Sequence, residues 1–170
     1  MSVVLNDKEK EDFRERHLPH RLTLLRTFRD RDINQKGMGN VHRCLKDAAL
    51  ISIRLFLEAM GLNGRYDPTT DSYVLEERAR ERRKPDDVWI DQLGGELVNP
   101  ASIPADDARV LAGIYWRASK ELAHLTHTDL GEFNTPEALK HGTDLIEELI
   151  QKHLYDQVGW GKLPPRTTDD

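Results

Sequence analysis

The segment 40–61 constrains the fold more than any other part of the chain. Apolar side chains recur there at the three- and four-residue spacing of an α-helix and spread around most of its circumference. Asn40 is a typical N-cap residue and Gly61 a typical residue just beyond a helix end. We therefore predict a helix over Asn40–Gly61 that lies centrally in a bundle or shares its outer face with a partner chain. Its polar residues form one narrow stripe: Arg43, Asp47, Arg54 and Glu58.

Three other segments have helical periodicity. The first covers about 7–34 and contains Pro19, which we expect to kink or restart the helix. Another follows Pro104 and runs to about His127, and the last has Thr135 as N-cap and Pro136 at the first helical position, and continues to about Gln157. No stretch alternates with period two for long enough to require a sheet. The fold class predicted is all-α, a helical bundle of four to five main helices.

The connection 63–104 is rich in Gly, Pro, Asp and Arg and is too long for an ordinary loop. We interpret it as an irregular insertion between the second and fourth segments, acting as a lid or a mobile element. Short helices are predicted within it, around Tyr73–Arg83 and Val88–Leu93. Around this insertion, residues 1–157 are predicted to form one helical-bundle domain, and 158–170 an extended or disordered tail.

Composition narrows the class of protein. Of the 170 residues, 38% are hydrophobic and 32% charged, and no apolar run is long enough to span a bilayer. The N-terminal MSVVLNDKEKEDF does not resemble a secretory signal, so we expect a cytoplasmic protein without membrane contact. A net charge of −5 disfavours nonspecific duplex binding, and we interpret the Arg-rich stretches 14–31 and 78–84 as solvated helix faces. The single cysteine, Cys44, is predicted to be a small core residue.

The chain lacks a phosphate-binding Gly loop, GxSxG, HExxH and CxxC, so the histidines are its most informative polar residues. On a continuous α-helix, Arg117 and His124 fall together at the edge of a buried stripe, and Glu121 lies between them within reach of both. A guanidinium, an imidazole and a carboxylate bordering a groove can bind a phosphate and move a proton. We take Arg117, Glu121 and His124 as the candidate catalytic residues.

The arrangement Arg117–x6–His124, within RASKELAHLTH, resembles the Arg-x(4 to 6)-His motif of the HEPN family (higher eukaryotes and prokaryotes nucleotide-binding), especially its abortive-infection-like members. The segment HRCLKDAALISIRLFLEAMGL also looks like the long helix of such bundles. The resemblance implies a homodimer formed through the motif helices and a metal-independent ribonuclease of a toxin or phage-defence system, with RNA and a cognate antitoxin or regulatory protein as partners. It implies that Arg117 contacts the scissile phosphate and that His124 serves in acid/base chemistry.

Two alternatives remain open at this point. Arg117 could pair with Glu121 while His124 bonds within the bundle, which would leave a non-catalytic interaction or regulatory module. The pairs His17/His20 and His124/His127 could share a metal ion, but each would need a third ligand from another helix. We expect neither a metal nor a cofactor. His153 is interpreted as a hydrogen-bonded core histidine.

Overall fold

The computed structural model describes residues 5–30, 39–84, 87–122, 133 and 135–165, with the side chains of Arg82, Glu121 and Leu122 left aside. Within these ranges the chain is mostly helical, as the sequence predicts. It also contains a β-hairpin, so the prediction of a purely all-α bundle is corrected.

The N-terminal helix is continuous but changes its winding. Helix α1 (Asp7–Asp12) begins at Asn6, whose side chain accepts from the backbone N–H of Glu9 at 3.0 Å while Glu9 caps Asn6 in return. A π-helical turn, Phe13–His17, leads directly into α2 (Leu18–Asp30). Pro19 lies just after that wide turn, where its lack of an N–H is absorbed by the altered hydrogen-bond pattern. The buried face of α2 carries Leu18, Leu22, Leu25 and Phe28.

Helix α3 (Gly39–Ala59) packs mainly against α2 and is the long central helix predicted from its apolar pattern. Asn40 is its second residue and therefore is not the N-cap, because the helix begins one residue earlier than predicted. Gly61 follows the helix end at φ +80°, a left-handed conformation that favours glycine. Cys44 is exposed on the outer face, so its prediction as a core residue is wrong.

A β-hairpin follows α3 directly. Strands β1 (Leu62–Asp67) and β2 (Ser72–Glu77) pair antiparallel in the register Leu62 with Glu77 and Asp67 with Ser72. The turn is closed by the Asp67 carboxylate, which accepts from the N–H of Thr69 at 3.0 Å. The helix predicted around Tyr73–Arg83 is therefore wrong over β2, where Tyr73, Val74 and Leu75 favour a strand.

Between the hairpin and the next long helix the chain forms three short 3₁₀ turns, Arg80–Arg82, Ile90–Leu93 and Pro100–Ser102. The second confirms a short helical element in the range predicted for Val88–Leu93. Trp89, Ile90 and Leu93 are buried there. The insertion is thus packed against the bundle through apolar side chains.

Helix α4 (Ala105–Arg117) has Asp106 and Asp107 in its first turn, where carboxylates complement the helix dipole. A second π-helical turn, Ala118–Leu122, continues it. Helix α5 (Pro136–Ile150) starts as predicted: Thr135 is the N-cap, its hydroxyl accepting from the Ala138 N–H at 3.1 Å. A third π-helical turn, Gln151–Tyr155, joins α5 to the short α6 (Asp156–Val158).

One cluster of buried apolar side chains, from Leu18 to Tyr155, links the helices and the hairpin. Ion pairs reinforce it at the junction of α2 and α5, where Glu147 receives both Arg26 and Arg29. Burial opposes the charge of Arg29, but its three carboxylate partners outweigh that effect and raise its pKa.

Candidate functional site

The predicted catalytic arginine lies inside the bundle. Arg117 is the last residue of α4 and is only 2% exposed, one of the largest fully buried side chains among the described residues. The predicted stripe of α4 is also buried, including Leu111, Tyr115 and Ala118. Arg117 therefore belongs to the packed face of this helix rather than to an open edge.

The prediction for the two other site residues falls outside what the structure describes. The side chain of Glu121 and the whole of His124 lie outside the described residues. The backbone of 118–122 is π-helical, so each turn there holds more residues than an α-helical turn. Within Ala118–Leu122 the backbone therefore departs from the α-helical phase on which the predicted line of Arg117, Glu121 and His124 depends.

A buried guanidinium serves a different purpose from an exposed one. Contact with a scissile phosphate requires the charge to reach an anion delivered from solvent, whereas a charge shielded by the fold is held by internal acceptors. Arg117, at 2% exposure, is in the shielded situation.

A carboxylate that the sequence did not single out sits at the junction of α3, α4 and the hairpin. Glu58 accepts from Tyr115 Oη at 2.9 Å and from Arg54 Nε at 2.9 Å, and its second oxygen lies 3.4 Å from an Arg78 amino group. Burial first, and then the nearby Glu58 charge, raise the pKa of Tyr115 to about 12. The Glu58 carboxylate thus links α3 to α4 and to the end of the hairpin. Because three donors surround it, we do not assign it the role of a general base.

The sequence contains only part of the signal for this cluster. Arg54 and Glu58 have the four-residue spacing of a helical ion pair. Tyr115 and Arg78 come from a separate helix and from the end of the hairpin, and nothing in their local sequence indicates that they meet Glu58. Arg78 also approaches Asp87 at 3.4 Å, which ties the following loop to the same point.

Beside this cluster is a cavity of about 290 Å³ between the α1–α2 junction, α3 and the loop before the second 3₁₀ turn. Its walls are predominantly apolar, and its charged residues come from α2, α3, the hairpin end and the loop before the second 3₁₀ turn. The volume would accommodate a small apolar group. Residues that form the walls include Phe13, Leu18, Phe56, Trp89, Ile90 and Leu154.

Several arginines of the two Arg-rich stretches pair with carboxylates. In the first, Arg26 and Arg29 bind Glu147, and Arg16 lies 3.1 Å from Asp12. In the second, Arg83 approaches Asp91 at 3.3 Å and lies over the ring of Trp89 at 4.9 Å. This pairing matches solvated and internally paired faces better than a phosphate-binding patch.

No group of three His, Cys, Asp or Glu side chains within the described ranges is arranged to hold a metal ion. His17 is instead 3.3 Å from Asp12, while His124 and His127 lie outside those ranges. None of the helices in the described part of the chain has the length and apolar character needed to cross a membrane.

No protein-family model matches this chain, and none of the curated protein sequences or solved structures is significantly similar to it. The class defined by the observations is a mostly helical bundle with one β-hairpin packed against α4.

Proposed function

We propose that this chain is a HEPN-like helical bundle that acts as a non-catalytic interaction module. The observation that carries the proposal is the burial of Arg117 at 2% exposure. In the ribonuclease alternative this guanidinium would have to contact the scissile phosphate, and its burial in the packed face of α4 favours the non-catalytic alternative over that contact. The HEPN assignment itself is supported by the motif spacing and by the long central helix.

The remainder of the molecule favours binding over chemistry. The Glu58 carboxylate is occupied by Tyr115, Arg54 and Arg78. Pairing of Arg29 and Arg83 with carboxylates also reduces the positive charge that these parts of the two basic stretches offer to an RNA backbone. Arginines that are paired with carboxylates favour a module that binds protein over an enzyme that cleaves nucleic acid.

The test is an RNA cleavage assay combined with stability measurements. Purified wild-type protein is incubated with end-labelled single-stranded RNA, beside the His124→Ala variant. We expect no cleavage by either protein. We also expect Arg117→Ala to lower the free energy of unfolding by about 2–4 kcal/mol, because it removes one of the largest fully buried side chains of the bundle.

The exposed Arg21 provides the matched control, and Arg21→Ala should change stability by less than about 0.5 kcal/mol. Cleavage by wild-type protein that disappears in His124→Ala would overturn the proposal in favour of the ribonuclease. An Arg117→Ala protein as stable as wild type would remove the structural role assigned to that residue.

A further inference from the structure

The outer face of α3 carries an apolar stripe that the bundle does not cover. Val41, Ile51 and Leu55 are 44%, 43% and 40% exposed, and Cys44 is exposed beside them. Together with Ala48, these residues follow alternating steps of three and four, and at about 100° per residue they fall within about 80° of arc. This is the seam pattern through which two helices pack side by side. We call these five residues the α3 stripe.

Opposite charges flank the α3 stripe on one side. Asp47 and Arg54 lie one helical heptad apart, next to Ala48 and Leu55 of the stripe. Asp47 forms no hydrogen bond or ion pair with any residue that the structure describes. Arg54 is held in place by Glu58 at 2.9 Å and lies over the ring of Tyr115 at 5.6 Å. The Asp47 carboxylate can therefore accept a cation from a partner, and the Arg54 guanidinium is held in a fixed position by Glu58 and Tyr115.

We propose that the α3 stripe binds the same stripe of a second copy of this chain, with the two helices antiparallel. The inference rests on the proposed function, since it names the partner of the interaction module. About a two-fold axis near the middle of α3, Cys44 faces Leu55 of the second copy and Ala48 faces its Ile51. The stripe is thus its own complement, as a two-fold interface requires.

The charges select both the partner and the direction. In an antiparallel pair, the charged flank of one helix lies against the charged flank of the other. Asp47 of each copy then lies beside Arg54 of the other copy, so the ion pair forms twice. In a parallel pair the charged flank would instead meet the opposite flank, where Leu45, Ser52 and Ala59 offer no charge. This interface also differs from one built on the helix that carries Arg117, because it uses α3 alone.

The test measures association of the full chain and its response to charge reversal. Sedimentation velocity of wild-type protein between about 1 µM and 1 mM, the range in which small interfaces associate, should show a monomer–dimer equilibrium. Asp47→Arg places like charges together twice and should raise the dimer Kd by about tenfold or more. Ile51→Lys, which removes the centre of the stripe, should do the same. Glu148→Arg, the same charge change at an exposed site of α5, should leave Kd unchanged.

Mixing chains tests the direction. Asp47→Arg and Arg54→Glu should each associate weakly alone, and a one-to-one mixture should form a heterodimer, because the reversed charges then match at both contacts. Circular dichroism establishes that each variant is folded, which matters for Arg54→Glu because Arg54 also pairs with Glu58. A wild-type protein that stays monomeric throughout overturns the inference. So does a dimer insensitive to both Asp47→Arg and Ile51→Lys.

These outcomes are separate from those of the proposed function. A monomer that does not cleave RNA would refute the second-copy interface and leave the non-catalytic module standing. A dimer that cleaves RNA through His124 would refute the module and leave the interface standing.

Discussion

His153 is a titratable group placed where a charge is costly. It lies in the π-helical turn after α5 and is 7% exposed, and neither ring nitrogen has a hydrogen-bond partner among the residues that the structure describes. Burial lowers its pKa; Lys152 lowers it further and Glu96 opposes both. The prediction of a buried histidine is confirmed, but the described part of the chain does not provide the hydrogen bonds expected with it.

The lowered pKa of His153 makes stability depend on pH. Above the unfolded value of about 6.5 the ring is neutral in both states, and the shift costs nothing. As the pH falls below that value, the unfolded chain gains a proton that the native ring resists, so the free energy of unfolding decreases.

We expect His153→Leu to flatten this dependence. Between about pH 7 and pH 5 the variant should lose less stability than wild type in urea unfolding, while near pH 8 the two should agree within about 1 kcal/mol, since no hydrogen bond is lost. His20→Gln, at an exposed position, should follow the wild-type curve. Parallel curves for wild type and His153→Leu would refute the assignment of the acid response to this ring.

Residue-level signals in the sequence are reliable where the cause is local. Thr135 and Pro136 define a helix start by their own chemistry, and the structure places them as predicted. Asn40 has the same kind of signal, but the helix begins one residue before it, at Gly39. Cys44 was assigned to the core from its apolar neighbours, although which side of a nearly all-apolar helix is covered depends on segments distant in the chain.

At the scale of elements, the hairpin is held by a close approach of backbones. A Cβ atom at Gly64 would lie 2.7 Å from the carbonyl oxygen of Ala112 and 2.8 Å from Cβ of Tyr115. Since neither atom is the end of a flexible side chain, any other residue would push β1 away from α4. Gly64 is therefore required for the hairpin to pack.

We expect Gly64→Ala to lower the free energy of unfolding by about 2–3 kcal/mol, the usual cost of overpacking at a rigid contact. Gly39→Ala is the control, because a Cβ there meets nothing within 4 Å. Thermal unfolding by circular dichroism compares the two. Equal melting temperatures for Gly64→Ala and Gly39→Ala would mean that the hairpin can shift without cost.

The same glycine explains why the hairpin was not predicted. In β1 the buried positions are Leu62 and Gly64, and a glycine adds no hydrophobic signal to the period-two pattern. Asn63 and Asp67 are also poor strand formers. The strand exists because β2 and α4 surround it, which is a tertiary cause that residues 62–67 do not reveal by themselves.

At the scale of the whole molecule, the C-terminal segment 159–165 packs against the helices that begin and end the bundle. Beyond Val158 the described chain has no helix or strand, and Trp160 packs edge-on against Tyr155 at 5.5 Å between ring centres. Arg14, from the N-terminal π-helical turn, lies over the same indole at 5.5 Å. The Pro164 carbonyl accepts from Arg26 at 2.8 Å. The C-terminal segment therefore contacts the N-terminal helix as well as the end of the last helix.

We expect Trp160→Ala to lower the free energy of unfolding by about 1–2 kcal/mol through loss of the aromatic and cation–π contacts. It should also increase the rate of limited proteolysis near the C-terminus, because the segment loses its anchor. Lys162→Ala, at an exposed residue two positions on, should alter neither property. Unchanged proteolysis in Trp160→Ala would show that the remaining hydrogen bonds suffice.

Contacts between distant segments separate what the sequence could predict from what it could not. The helices and the buried faces of α2 and α4 follow from periodicity, which is local information. The meeting of Glu58 with Tyr115, or of Glu147 with Arg26, depends on how helices are arranged in space. The burial of Arg117 could not be predicted for the same reason, because it is set by what packs against α4. The candidate site of Arg117, Glu121 and His124 stays a prediction.

The three wide turns also affect how this chain can be aligned. In each of these π-helical turns the backbone hydrogen bonds join residues five apart instead of four, so the turn contains one extra residue. An alignment with a relative whose helices lack these turns would therefore need a single-residue gap at 13–17, 118–122 and 151–155. A motif counted across such a gap shifts by one place, and with it the side of the helix to which its second residue is assigned. Searches that allow these gaps are therefore better suited to detecting distant kinship than fixed-spacing patterns.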